Sequence, residues 1–180
     1  MGASPPKWEI GSNTVPGIWS GGDASPTGAA NAFGAPAISN YNSPFYAGPW
    51  EPLGMTQAQF WSWVGSPFAT LPGSPNGTYY LDNDATKQNG SGAWSLTAGS
   101  GFIYADGDLT LQDNWRGLIY IEGDMKLNGN AWVLGAVICK GINNVDFNGG
   151  ATILYSYDAI VQSLKNVNWR KPAVLSWKEQ

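Results

Sequence analysis

The sequence predicts a mainly β fold, a short parallel β-solenoid of about three coils with one or two short helices and an irregular, aromatic-rich N-terminal wrap. Three observations carry that expectation. First, Gly101-Phe102-Ile103-Tyr104-Ala105-Asp106-Gly107-Asp108-Leu109-Thr110-Leu111 recurs as Gly117-Leu118-Ile119-Tyr120-Ile121-Glu122-Gly123-Asp124-Met125-Lys126-Leu127, with a looser third copy from Gly135 to Phe147. Repeats of one short supersecondary unit bury their apolar face only by stacking. Second, apolar residues alternate within each copy, the period of a strand. Third, Gly or Asn recurs at fixed offsets, where a coil must turn a corner.

The spacing defines the coils. Gly101 to Gly117 and Gly107 to Gly123 are each 16 residues, Gly117 to Gly135 is 18, and Leu127 to Phe147 is 20, so the third coil carries small insertions. Each unit reads strand, Gly turn, strand, then a polar turn: Gln112-Asp113-Asn114, Asn128-Gly129-Asn130 and Asn148-Gly149-Gly150. Alternation points Ile103, Ala105, Leu109 and Leu111 inward, then Ile119, Ile121, Met125 and Leu127, then Val137, Cys139, Val145 and Phe147. The outward residues differ between the two sheets. After the Gly turn they are Asp108/Thr110, Asp124/Lys126 and Asn144/Asp146, a solvated face. Before it they are Phe102/Tyr104, Leu118/Tyr120 and Ala136/Ile138, which are apolar. A sheet apolar on both sides must be covered. The expected cover is the aromatic-rich N-terminal half and a C-terminal helix.

The organisation follows from composition shifts. Residues 1–98 read as the wrap, in which Pro and Gly clusters punctuate aromatics that include Trp8, Trp19, Phe33, Tyr46 and Trp50. Within it, 56–64 reads as a helix. Thr56 is placed to cap it, Phe60, Trp63 and Val64 share a face, and Gly65 and Pro67 end it. Tyr79-Tyr80-Leu81 reads as a strand and Asn89-Gly90-Ser91-Gly92 as a turn. Residues 99–155 are the solenoid. Residues 156–180 are a capping helix over 157–165, capped by Ser156 or Asp158, and a tail with a short strand at Ala173–Trp177.

Composition narrows the function classes. Only 12% of residues are charged and 13% are aromatic, with ten Trp, so Asn, Ser, Thr, Gly and Tyr must build the surface, a look common among extracellular proteins. The net charge is −4 without a Lys/Arg run, so no nucleic-acid footprint is visible. With no His, any catalytic reading dispenses with imidazole. The single Cys139 reads as a buried small hydrophobe. No run of 18 apolar residues exists, and Met1-Gly2-Ala3-Ser4 is not a signal peptide.

Two residue sets carry candidate chemistry. Asp108 and Asp124 occupy one position in successive coils, and Asp106 and Glu122 another. Like charges that close call for a cation, a polar partner or a proton. Asp108 and Asp124 are therefore candidate Ca²⁺ ligands, or a carboxylate pair for glycan cleavage; the alternative is that each accepts backbone hydrogen bonds at the corner. The Trp set serves either sugar stacking or packing. Trp115 and Trp132, at the polar corners, are the candidates for exposed ligand or partner contact, along with Asp106 and Glu122. Asp82-Asn83-Asp84 lacks the spaced ligands of an EF-hand loop and reads as a solvated turn.

The run Gly117-Leu118-Ile119-Tyr120-Ile121-Glu122-Gly123-Asp124, then Asn128-Gly129-Asn130, Gly135-Ala136-Val137-Ile138 and Ile153-Leu154-Tyr155-Ser156 resembles the C-terminal soluble region of PilX-like type IV pilus assembly proteins, which are minor-pilin-like. The likeness covers roughly residues 99–164; bactofilin-like polymers share Gly-Asp strand repeats. The resemblance implies an envelope-anchored bacterial cell-surface protein acting in pilus assembly or adhesion with pilin or envelope proteins as partners, and the favoured reading is non-enzymatic. Surface glycans are a further candidate partner, and Ca²⁺ at Asp108 and Asp124 is the one candidate cofactor. The resemblance also implies an apolar anchoring helix, expected upstream of Met1, as the only membrane contact. The alternatives are a carbohydrate-binding or carbohydrate-cleaving β-helix and a self-polymerising scaffold of the bactofilin kind.

Overall fold

A computed structural model describes residues 16–82, 93–141, 145–147 and 149–165. The expected turn at 89–92, the strand at 173–177, and Asp84, Asn144, Trp8, Trp169 and Trp177 lie outside the described residues.

The chain is a β-solenoid of about six turns built on two parallel sheets. In chain order, β1 is Ile18–Ser20, β2 Asn31–Phe33, β3 Ile38–Ser39, α1 Gln57–Val64, β4 Asn76–Leu81, β5 Ala93–Leu96 and β6 Gly99–Ala105. Then follow β7 Asp108–Leu111, β8 Trp115–Ile121, β9 Met125–Leu127, β10 Trp132–Cys139, β11 Val145–Phe147, β12 Thr152–Tyr155 and α2 Tyr157–Ser163. The larger sheet runs β2-β12-β10-β8-β6-β4, and the smaller runs β11-β9-β7-β5. The register stacks Ile103 on Ile119 on Val137, and Leu109 on Met125 on Val145, as the repeat predicts. All twelve residues expected to point inward are buried in one core.

The stack is longer than the repeat on both sides. At one end β4 and β5 form a coil beneath β6 and β7, bringing Leu81 and Leu96 into the core. At the other end a coil is assembled from two distant pieces of chain. β12 pairs with the first half of β10, Trp132–Gly135, and then leaves the sheet into α2. The second half of β10, Val137–Cys139, pairs with β1 instead. Backbone bonds from Val137 N to Gly17 O (3.0 Å) and from Gly21 N to Cys139 O (2.9 Å) tie in the N-terminal piece. The chain then bridges from Pro26 to Phe147, and β2 and β3 stack on β12 and β1. Part of the expected wrap therefore consists of solenoid strands, and about six turns replace the expected three.

The rest of the N-terminal half is the predicted cover. Phe102, Tyr104, Leu118, Tyr120, Ala136 and Ile138 form a second buried cluster with Trp19, Tyr46, Leu53, Phe60, Val64, Ile160 and Leu164. Helix α1 starts at a capping box in which Gln59 N donates to Thr56 Oγ1 (3.2 Å) and Thr56 N to Gln59 Oε1 (2.8 Å). Its Phe60 ring meets Phe102 at 6.2 Å and Tyr104 at 5.5 Å, nearly perpendicular to each. Edge-to-face pairs of this kind add to the ~1.5–3 kcal/mol that burying a Phe contributes. Helix α2, capped by Ser156, buries Ala159 and Ile160 against the other end of the same face.

One glycine shows how closely the coils approach. Gly117 has φ +140, and a Cβ there would run into the carbonyl of Gly101 in the coil below and lie 2.9 Å from Ser163 Cβ of α2. No side chain fits, which lets the helix lie directly on the sheet.

Candidate functional site

The carboxylates sit where the repeat places them, and they hold the coils together. Asp108 opens β7, one residue past Gly107, and its Oδ1 accepts the backbone N–H of Asp124 in the next coil at 2.9 Å. Gly123 and Gly141, the corner residues that follow, donate to Gly107 O (3.3 Å) and Gly123 O (3.1 Å). The corner thus runs as a ladder in which a carboxylate accepts from the coil above. Asp108, Asp124 and Asp146 line a shallow depression of about 240 Å³ with Lys126, the register neighbour of Asp146. Ca²⁺ takes 6–8 oxygen ligands. Among the described residues no group of three or more His, Cys, Asp or Glu side chains is arranged to hold a metal ion.

The second carboxylate pair is likewise engaged. Glu122 Oε2 lies 2.7 Å from Lys140 Nζ, which occupies the same corner one coil on. Asp106 Oδ2 accepts the Tyr80 hydroxyl at 3.0 Å. Tyr80, Tyr104 and Tyr120 form a column across three coils, with ring centroids 5.0 and 6.0 Å apart. Burial first, and then the neighbouring carboxylates, hold all three phenols well above the ordinary tyrosine range. Cys139 is buried, its Sγ donates to Gly123 O at 3.2 Å, and burial pushes its thiol up to about 12.

The two Trp candidates separate. Trp132 is exposed at the corner, 37% accessible. Trp115 is not the exposed contact that the sequence suggested. It is fully buried inside the solenoid, where its Nε1 donates to Gly101 O at 3.3 Å. The reason is parity: β8 begins at Trp115, in phase with the inward Ile119 and Ile121, and the indole fills space left open by Gly99 in the neighbouring coil.

Trp132 has company that the sequence did not single out. Leu154 is 37% and Phe33 52% accessible, and the two are register partners on β12 and β2. Leu154 also pairs with Leu134, two residues from Trp132 on the same outward side of β10. Among the described residues, three of the four exposed large hydrophobics therefore share one outward sheet face. Leu134 to Leu154 is 20 residues, the length of the third coil, so extending the repeat by one coil reveals Leu154. Phe33 had no such signal, because its coil lies outside the repeat.

Compared with known proteins, the chain matches no family model, no curated protein and no solved structure.

Proposed function

We propose that the chain is a non-enzymatic, cell-surface β-solenoid domain acting in type IV pilus assembly or adhesion through its exposed apolar sheet face. The observation that carries this reading is a division of labour. Asp106, Asp108 and Glu122 each bond to a side chain or backbone group within the stack, whereas Trp132, Leu154 and Phe33 remain open to solvent on one face. Exposed apolar residues gathered on one face favour contact with another macromolecule. The likeness of residues 99–164 to PilX-like chains supplies the pilus context and the expectation of pilin or envelope partners. Against the glycan-cleaving alternative stands the use of Asp108 Oδ1 on a backbone N–H, which leaves it poorly placed to act as a free acid or nucleophile.

The test is genetic and uses the full-length gene in its native host. Deletion should reduce surface pili or host-cell adhesion. Complementation with Leu154→Asp plus Phe33→Asp should fail although the protein is folded and present at the surface. Normal piliation and adhesion in the deletion strain overturn the reading.

A further inference from the structure

A polar groove lies on the larger sheet beside α2, away from the carboxylate corners and one coil from Leu134, where the apolar face begins. It measures about 350 Å³. One wall is a single outward column, since the register stacks Asn76 on Ser100 on Arg116 across three successive coils. The opposite wall is α2, through Ala159, Gln162 and Ser163, and Gly101 contributes to the floor. The groove exists because Gly117 bears no side chain, which lets α2 lie on the sheet just beside this column.

The hydrogen-bonding state of the walls is unusual. Arg116 is exposed, and no carboxylate or hydrogen-bond acceptor among the described residues engages it. It stands unpaired in a chain with 13 acidic and 9 basic residues. Ser100 Oγ donates to Asn76 Oδ1 at 2.9 Å, which turns the Asn76 amide N–H groups outward from that bond. Ser163 Oγ donates to Ile160 O at 2.7 Å, so its lone pairs are left to accept. The Gln162 side-chain amide makes no hydrogen bond among the described residues and offers both a donor and an acceptor.

We propose that this groove binds a carboxylate-bearing sugar, one uronic-acid-type ring, with the Arg116 guanidinium on the carboxylate and Asn76, Gln162 and Ser163 on ring hydroxyls. Arginine's planar fork matches a carboxylate with two parallel N–H bonds. The acceptors on α2 call for a ligand rich in donors, which the several hydroxyls of a sugar ring supply and a phosphate, largely ionised near neutral pH, supplies poorly. The volume lies near the lower end of small-ligand sites, roughly 300–1,000 Å³, suiting a single ring. Ala159 is the lone apolar side chain of the lining, so the groove lacks the apolar pocket by which a peptide's terminal residue is recognised. The inference stands independently of the pilus reading.

The experiment is a titration of the ¹⁵N-labelled chain followed by two-dimensional NMR. The probes are galacturonate, galactose, inorganic phosphate and a tripeptide with a free C-terminal carboxylate. Galacturonate should shift the Asn76 and Gln162 side-chain amides and the Gly101 N–H saturably, with Kd on the order of 1 mM. Galactose should bind far more weakly. Arg116→Gln, an exposed change, should weaken galacturonate about tenfold or more, and Gln162→Ala, on the other wall, should weaken it less. The proposal is overturned if galacturonate and galactose bind alike, if either variant binds as wild type does, if the shifts map elsewhere, or if phosphate or the tripeptide binds more tightly.

Discussion

Replacing Gly117 with Ala tests whether the coils are as tightly stacked as the register implies. The φ of +140 is one that residues with a Cβ rarely adopt, and forcing it costs roughly 1–3 kcal/mol. The new methyl meets the Gly101 carbonyl and Ser163 Cβ, both belonging to packed backbone elements that cannot swing aside. Overpacking of this kind costs about 1–3 kcal/mol more. The expected loss is therefore about 4 kcal/mol, or roughly 8–16 °C in Tm for a chain of this size. Gly129→Ala is the internal control. Its φ is +64 but nothing lies within 4 Å of the added Cβ, so only the left-handed penalty of about 1–2 kcal/mol applies. Gly73 has neither constraint, and Gly73→Ala should stay within about 0.5 kcal/mol of wild type. Urea denaturation followed by circular dichroism measures all three. If Gly117→Ala costs no more than Gly129→Ala, the close approach of coil and helix is wrong.

Other outcomes follow from the corner ladder, the cover and the buried acids. Asp108→Asn retains an oxygen for the Asp124 N–H and should be nearly neutral, while Asp108→Ala should lose about 1 kcal/mol in the same urea assay. Calcium should leave Tm unchanged, and a rise that Asp108→Asn abolishes would place the ion at this corner. Phe60→Ala removes the ring at the centre of the cover and should cost about 3–5 kcal/mol, read as an earlier thermal transition. Cys139 and the column of Tyr80, Tyr104 and Tyr120 hold their protons more tightly folded than unfolded. The unfolded chain releases those protons first, so stability is full below about pH 9 and falls as pH rises toward 12. The urea midpoint should therefore drop between pH 9 and 11, and a flat midpoint would show that these groups are not buried as described.

The middle of the solenoid was legible because its physics is periodic. One alternation set every inward residue from Ile103 to Phe147, and the apolar outer positions Phe102, Tyr104 and Leu118 called for the cover that α1 and α2 supply. The first coil was hidden by spacing. Gly77 stacks on Gly101 across 24 residues, against 16 for Gly101 to Gly117, so its strands fall out of phase with the repeat. The coils from β1 to β3 were hidden by brevity, since strands of two or three residues carry no readable alternation. Trp115 was misread because its neighbours Asp113 and Asn114 look like a corner, although the strand already begins at the indole. The groove column at Asn76, Ser100 and Arg116 emerges only from the register between coils, which no local pattern encodes.

A stack of coils also changes what a polar residue signifies. In a solenoid every corner residue recurs above and below itself, so a carboxylate meets a neighbour from the next coil whether or not it serves a ligand. Asp108 under the Asp124 N–H and Glu122 against Lys140 are pairings of this kind, and each removes a like-charge conflict that the repeat would otherwise create. Repetition of Asp is then weak evidence for chemistry. The more telling positions are those where a column breaks its own rule. Arg116 lies between Ser100 and Leu134 and has neither a polar partner nor an apolar cover among the described residues. Trp132, Leu154 and Phe33 are apolar where the cover stops. Recognition in this fold is to be sought at such discontinuities, because the regular positions are already occupied in holding one coil to the next.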